Sequence, residues 1–179
     1  GADLVRRAKA EGLRVTAEVM PHHLLMSDTW IEGNRELHNV NEPAGERASA
    51  GDPNTKVNPP LRTVDDTQQL LNALRDGTFD LVSTDHAPHA APEKQGSTFE
   101  AAAFGLSGLE FALPSMLALV RAGHFTLSNM IAWLSHVPAK LWGLPTGTLA
   151  PGSPADVVVF DPNERWVVAP ESLKTKSHN

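Results

Sequence analysis

A chain of 179 residues with 15 Lys+Arg against 21 Asp+Glu carries a formal charge of −6, and 41% of it is hydrophobic. That balance excludes collagen-like, disordered and coiled-coil classes, and mild acidity without a Lys/Arg run argues against nucleic acid as a partner. No apolar run approaches the roughly 20 residues that span a membrane, and the absence of Cys removes disulfide and thiol chemistry and fits a cytoplasmic location.

In chain order, Ala2 to Glu11 sets Leu4, Val5 and Ala8 at helical spacing, with Gly12 as the stop. Val15-Thr16-Ala17-Glu18-Val19 alternates and is β-branched, which predicts a strand ended by Pro21-His22-His23. Asn39 to Asn54 is a long solvated loop, rich in Gly, Pro, Asn and Glu. Lys56-Val57-Asn58 reads as a short strand cut off by Pro59-Pro60. Thr63-Val64-Asp65-Asp66 opens a helix with capping-box-like character, whose inner face is Leu70, Leu71 and Leu74 and whose stop is Gly77. Phe79 to Thr84 suits a buried parallel strand running straight into Asp85-His86-Ala87-Pro88-His89.

Gly108 to Ala122 and Thr126 to Ser135 predict two more helices, with Pro114 in or kinking the first. From Gly147 the turns Pro151-Gly152 and Asp161-Pro162-Asn163 alternate with Val157–Phe160 and Trp166–Val168, a hairpin-rich β texture. Strands alternating with helices imply an α/β fold with a parallel sheet. About three strands can be counted where a closed eight-stranded barrel takes about 250 residues. The chain therefore reads as the C-terminal part of a (β/α)8 TIM-type barrel, residues 1–145, followed by part of a small composite β domain, residues 146–179. Gly1 is not an initiator Met, and Lys174 to Asn179 closes no element, which fits a fragment of something longer.

Three segments could carry chemistry. Asp85 follows an apolar strand, where polar residues of an α/β barrel face the active-site mouth; the ordinary alternative is a strand-end cap with His86 and His89 on the surface. His22 and His23 are adjacent, and neighbours in extended chain point to opposite sides, so at most one would face a site. Asn58 offers a donor and an acceptor to an amide or imide ring, with its backbone fixed by the paired prolines; alone it would be an ordinary turn Asn. His38, His124, His136 and His178 rate as structural or solvated, and Trp30, Trp133, Trp142 and Trp166 as core or interface. Neither a Gly-rich phosphate loop nor a Gly-x-Ser-x-Gly elbow is present.

Taken together, Val15 to Leu25, Lys56 to Arg62 and Ser83 to His89 resemble the dihydroorotases, the bacterial class I branch of the amidohydrolase superfamily. Phe104-Gly105-Leu106-Ser107-Gly108-Leu109-Glu110 and Gly147 to Asp156 match further motifs of that family, in the right order. The resemblance implies a zinc-dependent hydrolase of cyclic amides that interconverts dihydroorotate and N-carbamoyl-L-aspartate in pyrimidine synthesis. It implies Asp85 as zinc ligand and general base, Asn58 and His89 as substrate contacts, and the backbone of Phe104 and Gly105 against the substrate ring. His22 and His23 match a motif that supplies no metal ligand.

The other family ligands, and the Arg that grips the substrate carboxylate, would precede Gly1. Of the ligands only Asp85 is present, so the chain alone is expected to be inactive. Single motifs are shared with allantoinases and with dihydropyrimidinases or hydantoinases, which stand as alternatives. A third is an inactive dihydroorotase-like scaffold of aspartate transcarbamoylase. The partners implied are a small-molecule substrate, a second copy in a homo-oligomer and aspartate transcarbamoylase.

Overall fold

The structure is a computed structural model that describes residues 1–94 and 98–177. Its sheet is a parallel pair, β1 (Glu18–Val19) and β2 (Leu81–Val82), in the register Glu18↔Leu81 and Val19↔Val82. The chain between them passes through α2 (Pro21–Leu25), the solvated loop and α3 (Val64–Arg75) before returning. Parallel strands need such a crossover, which is why the α/β expectation holds at this level.

Both strands are shorter than the sequence predicts. Asp80 explains the first: its carboxylate accepts the Ala17 N–H at 2.9 Å, and its own N–H donates to the Ala17 carbonyl at 2.8 Å. A side chain thus stands where a ladder partner would. The same carboxylate pairs with Lys9 at 2.8 Å, tying α1 (Ala2–Ala10) to the start of β2. The expected strand at Lys56–Asn58 does not form. Its Lys56 carbonyl is taken by the Gly105 N–H at 2.9 Å and by the Lys94 ammonium at 3.0 Å, so it joins no ladder.

Helix α3 forms as its sequence dictates. The Thr63 hydroxyl accepts the Asp66 N–H, and the Asp66 carboxylate returns the bond to the Thr63 N–H, both at 3.2 Å. Those bonds satisfy two of the donors a helix start leaves open. Leu71 and Leu74 turn inward and meet Leu24, Leu25, Val19, Val82, Phe79 and the inner face of α5 (Ala112–Arg121), with Met116 and Leu119 at its centre. Pro114 lies in the first turn of α5, where no bond to a preceding carbonyl is required.

The next helix runs further than expected. Following α4 (Ala91–Lys94) and α5 comes α6 (Leu127–Ile131), then a π turn over Ala132–His136 and α7 (Val137–Leu141). The wide turn precedes Pro138, whose ring offers no N–H to the ladder. Trp133 packs edge-on against Phe125 at 4.9 Å, whereas Trp142 lies exposed rather than in the core.

Residues 147–169 form no ladder among the described residues, and Val157, Val158, Val159 and Val167 are exposed. A two-stranded ribbon is marginal by itself, and no third strand of the described chain lies beside these segments. No helix among the described residues is long and apolar enough to cross a membrane. His178 lies outside the described residues.

Candidate functional site

The site is assembled at the end of β2. Two residues past Val82 the chain turns through Thr84, and Asp85 adopts φ 48, a left-handed conformation uncommon for a residue with a side chain. Asp85 is exposed. From there the backbone runs parallel to residues 104–106: His86 bridges Leu106, and the Ala87 N–H donates to the Leu106 carbonyl at 3.0 Å. His86 also accepts the Leu109 N–H on Nδ1 at 3.2 Å, so it serves the turn that leads to α5.

His89 closes the far end of this pairing. Its Nε2–H donates to the Phe104 carbonyl at 2.8 Å, and its Nδ1 lies 3.7 Å from the Glu93 carboxylate. Gly105, next in the chain, gives its N–H to Lys56, two residues before Asn58. Three separate segments that the sequence marks, around Asn58, His89 and Phe104–Gly105, therefore meet through backbone and imidazole bonds. Asn58 and Phe104 are exposed there. The Lys56 ammonium sits 4.4 Å over the Phe104 ring and donates to the Glu100 carbonyl at 2.7 Å, placing one positive charge beside the cluster.

His22 and His23 differ from expectation. They do not alternate across extended chain; both are buried in α2, with ring centroids 4.3 Å apart. Pro21 occupies the first helical position, where its fixed φ suits a helix start as well as a strand end. The His23 Nε2–H donates to the Pro59 carbonyl at 2.8 Å, beside the Asn58-Pro59 bond, which is cis. Burial pushes the His23 pKa down, while that carbonyl and the Asp85 carboxylate pull it up. His23 thus ties α2 to the turn that carries Asn58.

His22 is pushed further, to about 3, by burial first and then by the charge of His23, and its buried Nε2 has no hydrogen-bond partner among the described residues. Neutral in the fold and ordinary when unfolded, it supports the fold fully above its unfolded value of 6.5. That support is lost as the pH falls from there toward the folded value, at up to about 1.4 kcal/mol per pH unit. Denaturant titrations of the whole protein between about pH 7 and about pH 4.5 should show this loss, and His22→Phe should flatten it. A variant with the same slope as its parent would exclude His22 as the source.

Lys94 stands out only once the fold is known. Its side chain is 0% exposed, and its ammonium donates to the carbonyls of Pro53 and Lys56 at 2.9 and 3.0 Å. Burial lowers its pKa; Asp52 opposes that and Lys56 adds to it. The other imidazoles serve structure: the His124 Nε2–H donates to the Asn39 carbonyl at 2.6 Å, and His38 shares a 2.9 Å bond with the Ser27 hydroxyl.

A zinc ion is a poor fit to these residues alone. Among the described residues no three His, Cys, Asp or Glu side chains converge, and a catalytic zinc takes about three protein ligands. Asp85 supplies one carboxylate.

The profile of the Amidohydrolase family matches residues 8–177. The dihydroorotase of Bacillus caldolyticus is 44% identical over 177 residues, 98% of this chain and 37% of that protein. The dihydroorotase of Syntrophus aciditrophicus (strain SB) is 43% identical over 176 residues, again 98% of this chain and 37% of the relative. Among solved structures, the D-hydantoinase (dihydropyrimidinase) from Thermus sp. superposes with a TM-score of 0.78 at 29% identity, over 96% of this chain and 35% of that one. The L-hydantoinase (dihydropyrimidinase) from Arthrobacter aurescens gives 0.70 at 29% identity, over 86% of this chain and 32% of that one. The chain spans about 37% of the length of the curated relatives it matches, so its fold is a partial domain of the hydantoinase kind. With the family profile covering all but its first seven and last two residues, the chain belongs to the amidohydrolase family.

Proposed function

We propose that the protein carrying this chain is a dihydroorotase, which opens and closes the ring of dihydroorotate to exchange it with N-carbamoyl-L-aspartate in pyrimidine synthesis. The observation that carries the reading is the meeting of the Asn58, His89 and Phe104–Gly105 segments beside the strand end that bears Asp85. The dihydroorotase relatives, at 44% and 43% identity, support it.

In this reading the exposed amide of Asn58 meets the imide edge of the ring, since it can both donate and accept. The Phe104 carbonyl has accepted the His89 proton on one lone pair, and its second can take a ring N–H. Gly105 contributes by place, because its N–H is already given to Lys56 and no Cβ crowds the wall. His89, part-exposed, faces the substrate carboxylate.

Ring opening adds water to the carbonyl, breaks the C–N bond and moves one proton from the water to the leaving nitrogen. Asp85 is the carboxylate that carries this proton. Acid–base work of this kind contributes about 10²–10⁴-fold. Asp85 is also one ligand of a zinc site whose remaining ligands would lie in the length that the relatives have and this chain does not span.

Residues 1–145 would form the C-terminal part of a (β/α)8 barrel. Residues 146–179 would belong to a composite β domain whose strands pair outside this chain. A cytoplasmic homo-oligomer, with aspartate transcarbamoylase as a partner, goes with the same reading.

The hydantoinase structures favour a second reading, a hydrolase of hydantoin or dihydrouracil. Turnover by the whole protein decides. Hydrolysis of dihydroorotate well above that of hydantoin is expected. The reverse order would move the assignment to the hydantoinases, and an inert protein that co-purifies with aspartate transcarbamoylase would make it a scaffold.

A further inference from the structure

We infer that Lys94 is a positioning residue, whose buried ammonium holds the Asn58 turn and the Phe104–Gly105 wall in one register. The inference rests on the cyclic-amide hydrolase reading, and it concerns a side chain outside the five site residues named above.

The bonds around Lys94 are specific. Its Nζ reaches two carbonyls of one turn, Pro53 at 2.9 Å and Lys56 at 3.0 Å. The second carbonyl also accepts the Gly105 N–H at 2.9 Å, so a single oxygen joins Lys94, the Asn58 turn and the wall. One residue earlier, the Glu93 carbonyl accepts the Ala103 N–H at 3.0 Å, and the Glu93 carboxylate accepts the Ala90 N–H at 2.8 Å. Helix α4 is thus a bracket, with His89 just before it, the wall bound to its backbone and the Asn58 turn bound to its last side chain.

An ammonium at 0% exposure is expensive unless it is hydrogen-bonded, and an apolar residue would fill the same space without that cost. Lysine there is accounted for by the two carbonyls it organises. Burial lowers its pKa, and the Asp52 carboxylate, which opposes that shift, stands at the start of the same turn. A positive charge also strengthens a hydrogen bond to a carbonyl relative to a neutral donor.

The test uses the whole, metal-loaded protein with Lys94→Met, Lys94→Gln and, as a control on general destabilisation, Leu74→Ala in the core of α3. Lys94→Met should raise KM about tenfold or more with kcat changed less than about threefold, as expected when a contact made equally in ground and transition states is displaced. Lys94→Gln, which keeps one donor, should fall between. Zinc content should equal that of the parent. Exchange of the Gly105 amide should speed about tenfold in Lys94→Met, whereas Leu74→Ala should leave KM within about twofold and speed that amide no more than its core neighbours.

The proposal is overturned if both Lys94 variants keep the parent KM and the parent exchange rate at Gly105. It is equally overturned if Leu74→Ala raises KM as much, or if neither Lys94 variant folds, since Lys94 would then serve folding alone. Should Lys94→Met fail to fold, Lys94→Gln decides by the same criteria. If the parent opens hydantoin rather than dihydroorotate, the substrate reading fails while the KM split is read on hydantoin. If it opens neither ring, the exchange rate of Gly105 alone decides.

Discussion

Replacing Asp85 by Ala in the whole protein should lower kcat/KM for dihydroorotate by at least about a hundredfold, the lower end of what a positioned acid or base contributes. Two observations support so large an effect. Asp85 lies three residues past Val82, in the turn that leaves β2, so its position is anchored by Val82 and Leu81 in the core. Its φ of 48 is left-handed, a conformation that costs about 1–3 kcal/mol in a residue with a side chain and concentrates at functional sites.

The conformation and the charge can be separated. Asp85→Asn keeps the shape and the tolerance of left-handed backbone, and should be as inactive as Asp85→Ala with its folding stability intact. Asp85→Gly relaxes the backbone and should gain stability while losing activity. A fully folded Asp85→Asn protein that keeps more than about a tenth of parental kcat/KM would remove Asp85 from the chemistry.

What the sequence reveals about this chain follows from how local each cause is. Helix α3 is legible because its start depends on Thr63 and Asp66, three residues apart, and its inner face on Leu71 and Leu74. The strand lengths are not, because Asp80 replaces a ladder partner for Ala17 from 63 residues away. The Lys56–Asn58 strand fails for a similar reason: the Gly105 N–H and the Lys94 ammonium reach its carbonyl from 49 and 38 residues further along the chain. Pro21 is compatible with either a strand end or a helix start, and only packing of His22 and His23 against the core selects the helix. Lys94 carries no pattern at all, since a charged residue in a polar stretch looks solvated until its partners are seen.

The site residues divide along the same line. Asp85, Asn58 and His89 are conspicuous as residue types at strand ends and turns, and the resemblance of their motifs adds Phe104 and Gly105. That these segments touch is a tertiary fact. It is carried by the His89–Phe104 and Gly105–Lys56 bonds, at 2.8 and 2.9 Å.

Gly105→Ala should be the most destabilising single substitution in the site. Gly105 holds φ +133, which L side chains rarely adopt, and a Cβ there would lie 2.5 Å from the Ala87 Cβ and 2.9 Å from the Ala87 carbonyl oxygen. Neither atom is the end of a flexible side chain, so relief requires the two backbones to part. They are bonded on either side of the contact, by Ala87 N–H to the Leu106 carbonyl at 3.0 Å and by His89 to the Phe104 carbonyl at 2.8 Å. Overpacking of this kind costs about 1–3 kcal/mol, and the backbone strain adds about as much again. Urea denaturation of the whole protein should show that loss, with dihydroorotate turnover falling alongside. Adding Ala87→Gly removes the shorter contact but leaves the carbonyl and the φ, so stability should return only in part. A Gly105→Ala protein within about 0.5 kcal/mol of its parent, the scatter of an ordinary surface change, would mean that the wall and the His89 segment are not pressed together, and the substrate contacts assigned to them would have to be sought elsewhere.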